Sequence, residues 1–380
     1  MKKVIFFLCS ISCLALVVYS YLHAGHSQFA EASLVLTLMQ SLRGRYQDDG
    51  LDKNEYRRSR YGALEFYREQ TNRANSIASD QIKDMVAKSM GNTIQIPVMD
   101  ARDVTITNVR SCTVPDEENT SRLVTLTFVT YAWGFTMFPA QYFNNQIKYQ
   151  TDFDAKLEPY LQKFAAILDS ACINNLSINK NQYFPADMAA FYPSVGNSLQ
   201  VTQAQKNDFY NQLEAIQATR DYYGRTNIIS STTGMPMINR LAAQGGGNAV
   251  NEAFQLGGYE WHYTNRLTNG AGIQATLYAV QDGYVAMLNR NDPDALMGSS
   301  VGNGLKQWGI ANVPLVNLDM ATYYYEDCAD RSALHAGTAH LTRTKLEGYE
   351  WSTDICYINS YNSSPATKYN PILKAEISAS

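Results

Sequence analysis

The chain has 380 residues, a formal charge of −4, 45% apolar residues and 17% charged residues. That length suffices for two or three globular units with sizeable cores. The even charge balance argues against a nucleic-acid reader, which shows a basic stripe. The charged share lies below the ~25% usual for soluble domains. Asn, Gln, Ser, Thr and Tyr fill the gap, with 26 Tyr against 14 Phe. Two classes fit: a subunit that presses much of its surface against other protein, where Tyr supplies contact area plus a hydroxyl, and a secreted or surface β-rich protein.

The N-terminus carries Lys2 and Lys3 followed by an apolar run from Val4 to Leu22. This has the charged start and apolar stretch of a secretory signal or short membrane anchor. The alternative is a start of translation near Ser27, with the preceding residues misassigned. Six cysteines are present: Cys9, Cys13, Cys112, Cys172, Cys328 and Cys356. None shows paired metal-type spacing, and they read as small buried hydrophobes. A Cys328–Cys356 disulfide is compatible with an oxidising compartment.

Gln28 to Met39 is a short amphipathic piece. Arg43 to Arg73 is rich in Arg and Tyr with interleaved acids, which fits an arm across a neighbouring subunit or a solvated helix face. Ser79 to Ser89 predicts a helix stopped by a left-handed Gly91. Strands follow at Thr93–Val98, where Pro97 marks an end or an edge, at Val104–Val109, and at Arg122–Thr130. Between the last two, Pro115–Ser121 is a charged turn. Residues 91 to 135 thus read as a long two-stranded excursion. Such a hairpin is marginal in water unless it lies on something.

Asp152 to Asn175 predicts one long helix, apolar at Leu157, Leu161, Phe164, Ile167, Leu168 and Ala171. The recurrence at three and four residues is helical. Pro159 requires a start at Glu158 or a kink. Leu176 to Gln200 reads as loop. A second block then predicts a helix at Ala204–Tyr223, a strand at Thr226–Ser231, and a helix at Thr233–Ala243 with Pro236 in its first turn. A Gly-rich loop (Gln244–Asn248) and a strand at Tyr259–Leu267 come next. Gly272–Leu288 reads as a strand turning into a helix, Gly298–Gly309 as a loop, and Val313–Tyr325 as one strand or a pair. The tail is β, at Tyr349–Tyr357 and Tyr369–Ile377.

No constellation for chemistry stands out. His335 and His340 are five apart, not the i, i+4 pair of a zinc helix. His262 sits in a strand and is expected to pack through its ring. There is no G-x-S-x-G elbow and no P-loop. Gly298, Gly302 and Gly304 do not follow dinucleotide-fingerprint spacing. Asp327–Asp330 lacks the EF-hand pattern and reads as a surface turn. Asp152 and Asp154 are expected at a helix start, where carboxylates satisfy free N–H groups. Accordingly no catalytic, cofactor-binding or metal-ligating residue is assigned, no cofactor is expected, and the chain is not read as an enzyme.

The order of elements resembles the major capsid protein of tailed bacteriophages. The segments that carry the resemblance are Asp152–Asn175, the strand–helix passage Asn227–Arg240, and the final strand Tyr369–Ile377, within an order that covers most of the chain after Ser27. The resemblance implies an α+β capsid fold: N-terminal arm (28–90), extended two-stranded loop (91–138), peripheral domain with a long spine helix (139–200 and 336–380), and axial domain (201–335), with 1–27 left as a signal-like or misassigned segment. It further implies self-assembly into pentamers and hexamers forming an icosahedral head around DNA, without sequence-specific contact to that DNA. Scaffold, portal and decoration proteins are the implied partners, and the virion, assembled in host cytoplasm, the implied location. The signal-like start departs from that family and supports the competing reading, an exported, surface-anchored β-rich binding or adhesin-like protein.

Overall fold

A computed structural model of the chain describes residues 60–99, 121–142, 146–220, 222, 224–244, 259–292, 299–301, 306–330, 343–360, 365, 366 and 368–379, with residues 35, 38, 39 and 42. The Val4–Leu22 segment, Cys9, Cys13, Cys112, the Val104–Val109 strand, the turn before Ser121, His335 and His340 lie outside the described residues. The architecture is α+β, as the resemblance implies.

Helix α1 (Gly62–Asn72) and helix α2 (Asp80–Lys88) lead. Ser79 caps α2 by accepting from the Ile82 amide, which satisfies one of the free N–H groups of a first turn. The helix ends at Ser89 in extended geometry, with no left-handed glycine. The expected Gly91 stop is therefore corrected: Ser89 bonds back to the Val86 carbonyl, and the chain passes straight into a strand. Strand β1 (Thr93–Met99) pairs antiparallel with β2 (Ser121–Thr127) as a two-stranded ribbon. The expected Arg122–Thr130 strand is interrupted at Phe128, whose amide bonds Asn92. Its continuation, β3 (Val129–Met137), joins a different sheet.

Helix α3 spans Gln146–Ile178, 33 residues, about 50 Å at 1.5 Å per residue. It is longer than predicted at both ends and runs through Pro159. The reason is geometric. Proline removes the bond to the Ala155 carbonyl, and both residues lie on the exposed side, where water replaces the lost donor. The buried stripe is Phe153, Leu157, Leu161, Phe164, Leu168, Cys172 and Leu176. Ile167, expected on that stripe, instead faces solvent at 41% exposure.

Short helix α4 (Ala186–Ala189) and strands β4 (Ser194–Val195) and β5 (Ser198–Val201) occupy the stretch read as loop. Helix α5 (Lys206–Ala218), β6 (Thr226–Ser231), α6 (Met235–Gln244), β7 (Glu260–Thr264), β8 (Ile273–Gln281) and β9 (Val285–Arg290) follow. The expected strand-to-helix passage at 272–288 is corrected to two strands in different sheets. Gly283 makes that break possible, with φ at +86° and the Asn75 carbonyl 2.2 Å from where a Cβ would stand. Only glycine accepts both conditions. Strands β10 (Ser299–Val301), β11 (Lys306–Val313), β12 (Leu318–Asp330), β13 (Arg343–Asn359) and β14 (Ile372–Ser378) complete the chain. The backbone at Asp327–Asp330 is strand, not the expected turn, because it pairs with Leu346–Arg343.

Two six-stranded sheets result. The first runs β10-β11-β12-β13-β3, with β9 also on β13. All its pairings are antiparallel. The second runs β4-β5-β14-β8-β6-β7 and is mixed, with β5–β14 and β6–β7 parallel. Helix α3 lies on the first sheet. Trp351 stacks on Trp133 with ring centroids 4.5 Å apart, and Phe153 meets Phe135 and Tyr349 edge-on at 5.4 and 5.2 Å. Such offset and T-shaped pairs add to simple burial. The second sheet packs Trp261, Leu277 and Leu373 against Phe209, Leu213 and Ile216 of α5. Cys172 and Cys356 are free and buried. The Cys328–Cys356 bridge does not form, because Cys328 pairs with Lys345 and Cys356 with Leu288, far apart along β13.

Candidate assembly surface

The ribbon has two unlike faces. Ile94, Ile96, Val124 and Leu126 point inward, against Ile82 and Val86 of α2, Ala286 and Leu288 of β9, and Cys356 and Ile358 of β13. The outer face holds Thr93, Gln95, Pro97, Leu123, Thr125 and Thr127, all exposed. Pro97 and Leu123 are register partners there, and Leu123 is 60% exposed. Period-two alternation explains the inner face; among the described residues, nothing covers Leu123 of the outer pair.

The ribbon's root is clamped by Arg290. Its Nη1 donates to the Ser89 carbonyl and hydroxyl (2.8 and 2.9 Å) and to the Gly91 carbonyl (2.7 Å). Its Nε and Nη2 each reach Asp354 at 2.9 Å. The guanidinium carbon lies 3.9 Å from the Phe128 ring centroid. A planar fork with five donors can hold the end of α2, the start of β1 and strand β13 at once, which an ammonium could not. Sequence reading passed over Arg290. The signal available was an arginine at the end of a strongly apolar strand, where a charge is out of place without a buried partner.

Beside the ribbon, α3 presents Tyr160, Ile167 and Ile178 to solvent at 39%, 41% and 64% exposure. Tyr160 is backed by Trp133, stacked at 5.6 Å. The helix end opens into a groove of about 510 Å³ lined by Ile82, Ile96, Val124, Leu126, Ile178 and Tyr357 among others. At the groove's rim, burial and the neighbouring Lys374 push the Lys180 amine down. The groove joins the end of α3 to the ribbon, with Asn175, Asn179 and Gln182 as its polar lining.

Among the described residues, the side chains placed to share a metal ion are Glu69, Glu260 and His262, with ligand atoms within 4.8 Å of one another. Glu260 is already engaged by two guanidiniums, Arg73 and, at 2.9 Å, Arg225. Two fixed positive charges on one carboxylate oppose a cation there, so the cluster reads as structural. Arg73 also binds Asp282, which accepts from Gln70 and Asn227. The cluster thus ties α1 to the β8–β9 turn and to β6 and β7. His262 packs beside Phe66 with ring centroids 5.5 Å apart, matching the expectation of a ring-packed histidine. Asp152 lies inside α3 and not at its start; it pairs with Lys156 at 3.0 Å and accepts from Tyr142, which holds its carboxyl low.

Comparison with known proteins gives structural likeness only. No family model matches the chain, and no curated protein matches it. Three similar solved structures are capsid chains. A chain from the mature capsid of bacteriophage PhiM1 shows 11% identity and a TM-score of 0.43, over 77% of this chain and 84% of that one. A chain from the capsid of an empty GTA particle shows 10% and 0.41, over 80% and 90%. A chain from the capsid of the cyanophage P-SCSP1u shows 10% and 0.39, over 77% and 84%. The likeness is to capsid chains. At this identity no residue's role transfers, and the argument for function rests on this chain's own surfaces. Among the described residues, no helix is long and apolar enough to cross a membrane.

Proposed function

We propose that this chain is the major capsid protein of a tailed phage, a structural subunit and not a catalyst, that self-assembles into pentamers and hexamers to form an icosahedral head enclosing DNA. The observation that carries the proposal is the ribbon: two strands held at the root by Arg290, with an apolar outer pair exposed among the described residues. A two-stranded element is poorly stable in water by itself. A neighbouring copy supplies the missing cover, and the exposed stripe on α3 supplies a matching seat. Contacts of unlike patches on successive copies close into rings.

In this reading residues 28–90 are the arm, 91–138 the extended loop, 139–200 and 336–380 the peripheral domain, and 201–335 the axial domain meeting at the symmetry axis. Scaffold, portal and decoration proteins are its further partners. The head is assembled in host cytoplasm, and the net charge of −4 suits a shell that holds DNA without gripping its sequence. A second reading, an exported surface-anchored binding protein, is favoured by one observation, the apolar run Val4–Leu22 after two lysines.

The test is expression from Ser27 in bacterial cytoplasm, examined by negative-stain electron microscopy with and without co-expressed scaffold. Closed shells or hexamer sheets support the capsid reading. Leu123→Asp and Ile167→Asp, both at exposed positions, are expected to leave the subunit folded and abolish shells. A folded monomer under every condition would sink the proposal in favour of the exported protein.

A further inference from the structure

The groove of about 510 Å³ lies between the end of α3, the ribbon and β13. Its apolar walls come from four separate elements: Ile82 of α2, Ile96 and Leu126 of the ribbon, Ile178 of α3 and Ile358 of β13. That size, with an aliphatic lining and few polar groups, is the usual make-up of a small-molecule site. A cation stands at the rim. Lys180 follows the last residue of α3 by two positions and is half-buried. Among the described residues it makes no ion pair. The carboxylate that acts on it, Glu376, is itself held by Lys374 at 2.6 Å and by Gln200 at 3.0 Å. Nor does Lys180 serve to close the helix, because the Asn179 amide and side chain donate to the Asn175 carbonyl at 3.1 and 2.9 Å. Burial, and then Lys374, push the Lys180 amine down, as expected of a charge short of a counter-ion.

We infer that this groove binds a small amphipathic anion, an aliphatic chain bearing one carboxylate, with the chain on the isoleucine walls and the head at Lys180. The argument is complementarity of two kinds. Burying the chain removes aliphatic surface from water, which strengthens binding about fourfold for each methylene. A negative head beside Lys180 supplies the counter-ion that Glu376 does not, and offsets the repulsion from Lys374. The exposed Gln182 amide, on the same lining, offers the head a neutral donor. Asn175 offers little, since its amide already donates to the Tyr67 hydroxyl at 3.1 Å. A neutral chain would meet the walls and leave the cation unpaired. An anion without a chain would pair the cation and leave the walls wet. The walls all belong to one chain, so the inference does not depend on the capsid reading.

The experiment is calorimetric titration of the full chain with decanoate, octanoate and 1-decanol at neutral pH, with sedimentation velocity on the same samples. Decanoate is expected to bind saturably, one molecule per chain, and roughly tenfold more tightly than octanoate. Lys180→Gln is expected to weaken decanoate about fivefold, the factor for a part-exposed ion pair, and to leave 1-decanol unchanged. Lys180→Arg keeps the charge and is expected to retain most of the affinity. Ile82→Trp, at a half-buried position, fills the groove and is expected to abolish binding of all three with the circular dichroism of the parent. Should that variant fail to fold, the two Lys180 variants decide the matter. Absence of saturable decanoate binding, equal losses of decanoate and 1-decanol in Lys180→Gln, or binding that survives in a folded Ile82→Trp would each overturn the inference. So would capture of the parent by anionic phospholipid vesicles without decanoate binding, which makes the site a membrane contact. Self-association that falls in Ile82→Trp and ignores decanoate would overturn it too, by making the occupant a second copy.

Discussion

Trp351 and Trp308 stand on the same sheet and on opposite faces, and replacing each by alanine reads out which face is core. Trp351 is fully buried, stacked on Trp133 at 4.5 Å, with Phe135 at 5.7 Å and Phe153 at 6.4 Å. Truncating a buried Trp costs about 3–5 kcal/mol through lost transfer energy and the cavity left behind. Three aromatic neighbours locked between strand and helix leave little scope for collapse, so the upper half of that range is expected. Trp308 is only partly buried, with Tyr323 at 4.8 Å, and its truncation should cost about 1 kcal/mol. Urea unfolding followed by far-UV circular dichroism measures both. With a slope near 3 kcal/mol/M, Trp351→Ala should move the midpoint down by about 1.5 M and Trp308→Ala by about 0.3 M. The indole N–H of Trp351 has no hydrogen-bond partner among the described residues, so Trp351→Phe should lose well under half as much. Equal losses for the two alanine variants, or a Trp351→Ala loss below about 1.5 kcal/mol, would refute the assignment of the α3 side as the core.

Arg290→Ala removes donors from Asp354, Ser89 and Gly91 together; a loss of about 3–5 kcal/mol is expected, as for breaking a buried pair, with protease cleavage rising first within the ribbon. Arg290→Lys should recover little, since one ammonium cannot span those acceptors. Gly62→Ala places a Cβ 2.5 Å from the Tyr263 nitrogen and 2.6 Å from its carbonyl oxygen, an overpacking against backbone that should cost about 1–3 kcal/mol in thermal or urea unfolding. The Asp169 carboxyl titrates at about 6 in the fold against an ordinary 3.8, so its contribution to stability is complete below pH 4 and is lost as pH rises to about 6. That contribution amounts to roughly 3 kcal/mol. Stability measured against Asp169→Asn should follow that slope, and a difference that is flat between pH 4 and 7 would contradict it.

Period and propensity made many elements legible before any coordinates. The 3.6-residue recurrence at Leu157, Leu161, Phe164 and Leu168 marks α3, and the β-branched runs mark β1, β6 and β14. The limits of that reading are equally physical. Pro159 predicts a start at Glu158 or a kink because sequence does not say which side of a helix faces water. Ile167 looked buried for the same reason. Gly272–Leu288 reads as strand then helix because an apolar run carries no mark of which sheet each half joins; Gly283 turns the chain between them at positive φ, and the nearby Asn75 carbonyl leaves no room for a Cβ.

What the sequence determined by itself was local: the identity of most elements, including the two-stranded excursion. These follow from short-range sterics and alternation, which neighbouring residues impose on one another. The tertiary structure alone decided the long-range joints. Arg290 meets Ser89 from 201 residues away, and Asp169 meets Leu64 from 105. A buried charge gains its meaning only from partners that folding brings to it, because the burial that makes the charge costly and the donors that offset the cost come from distant parts of the chain.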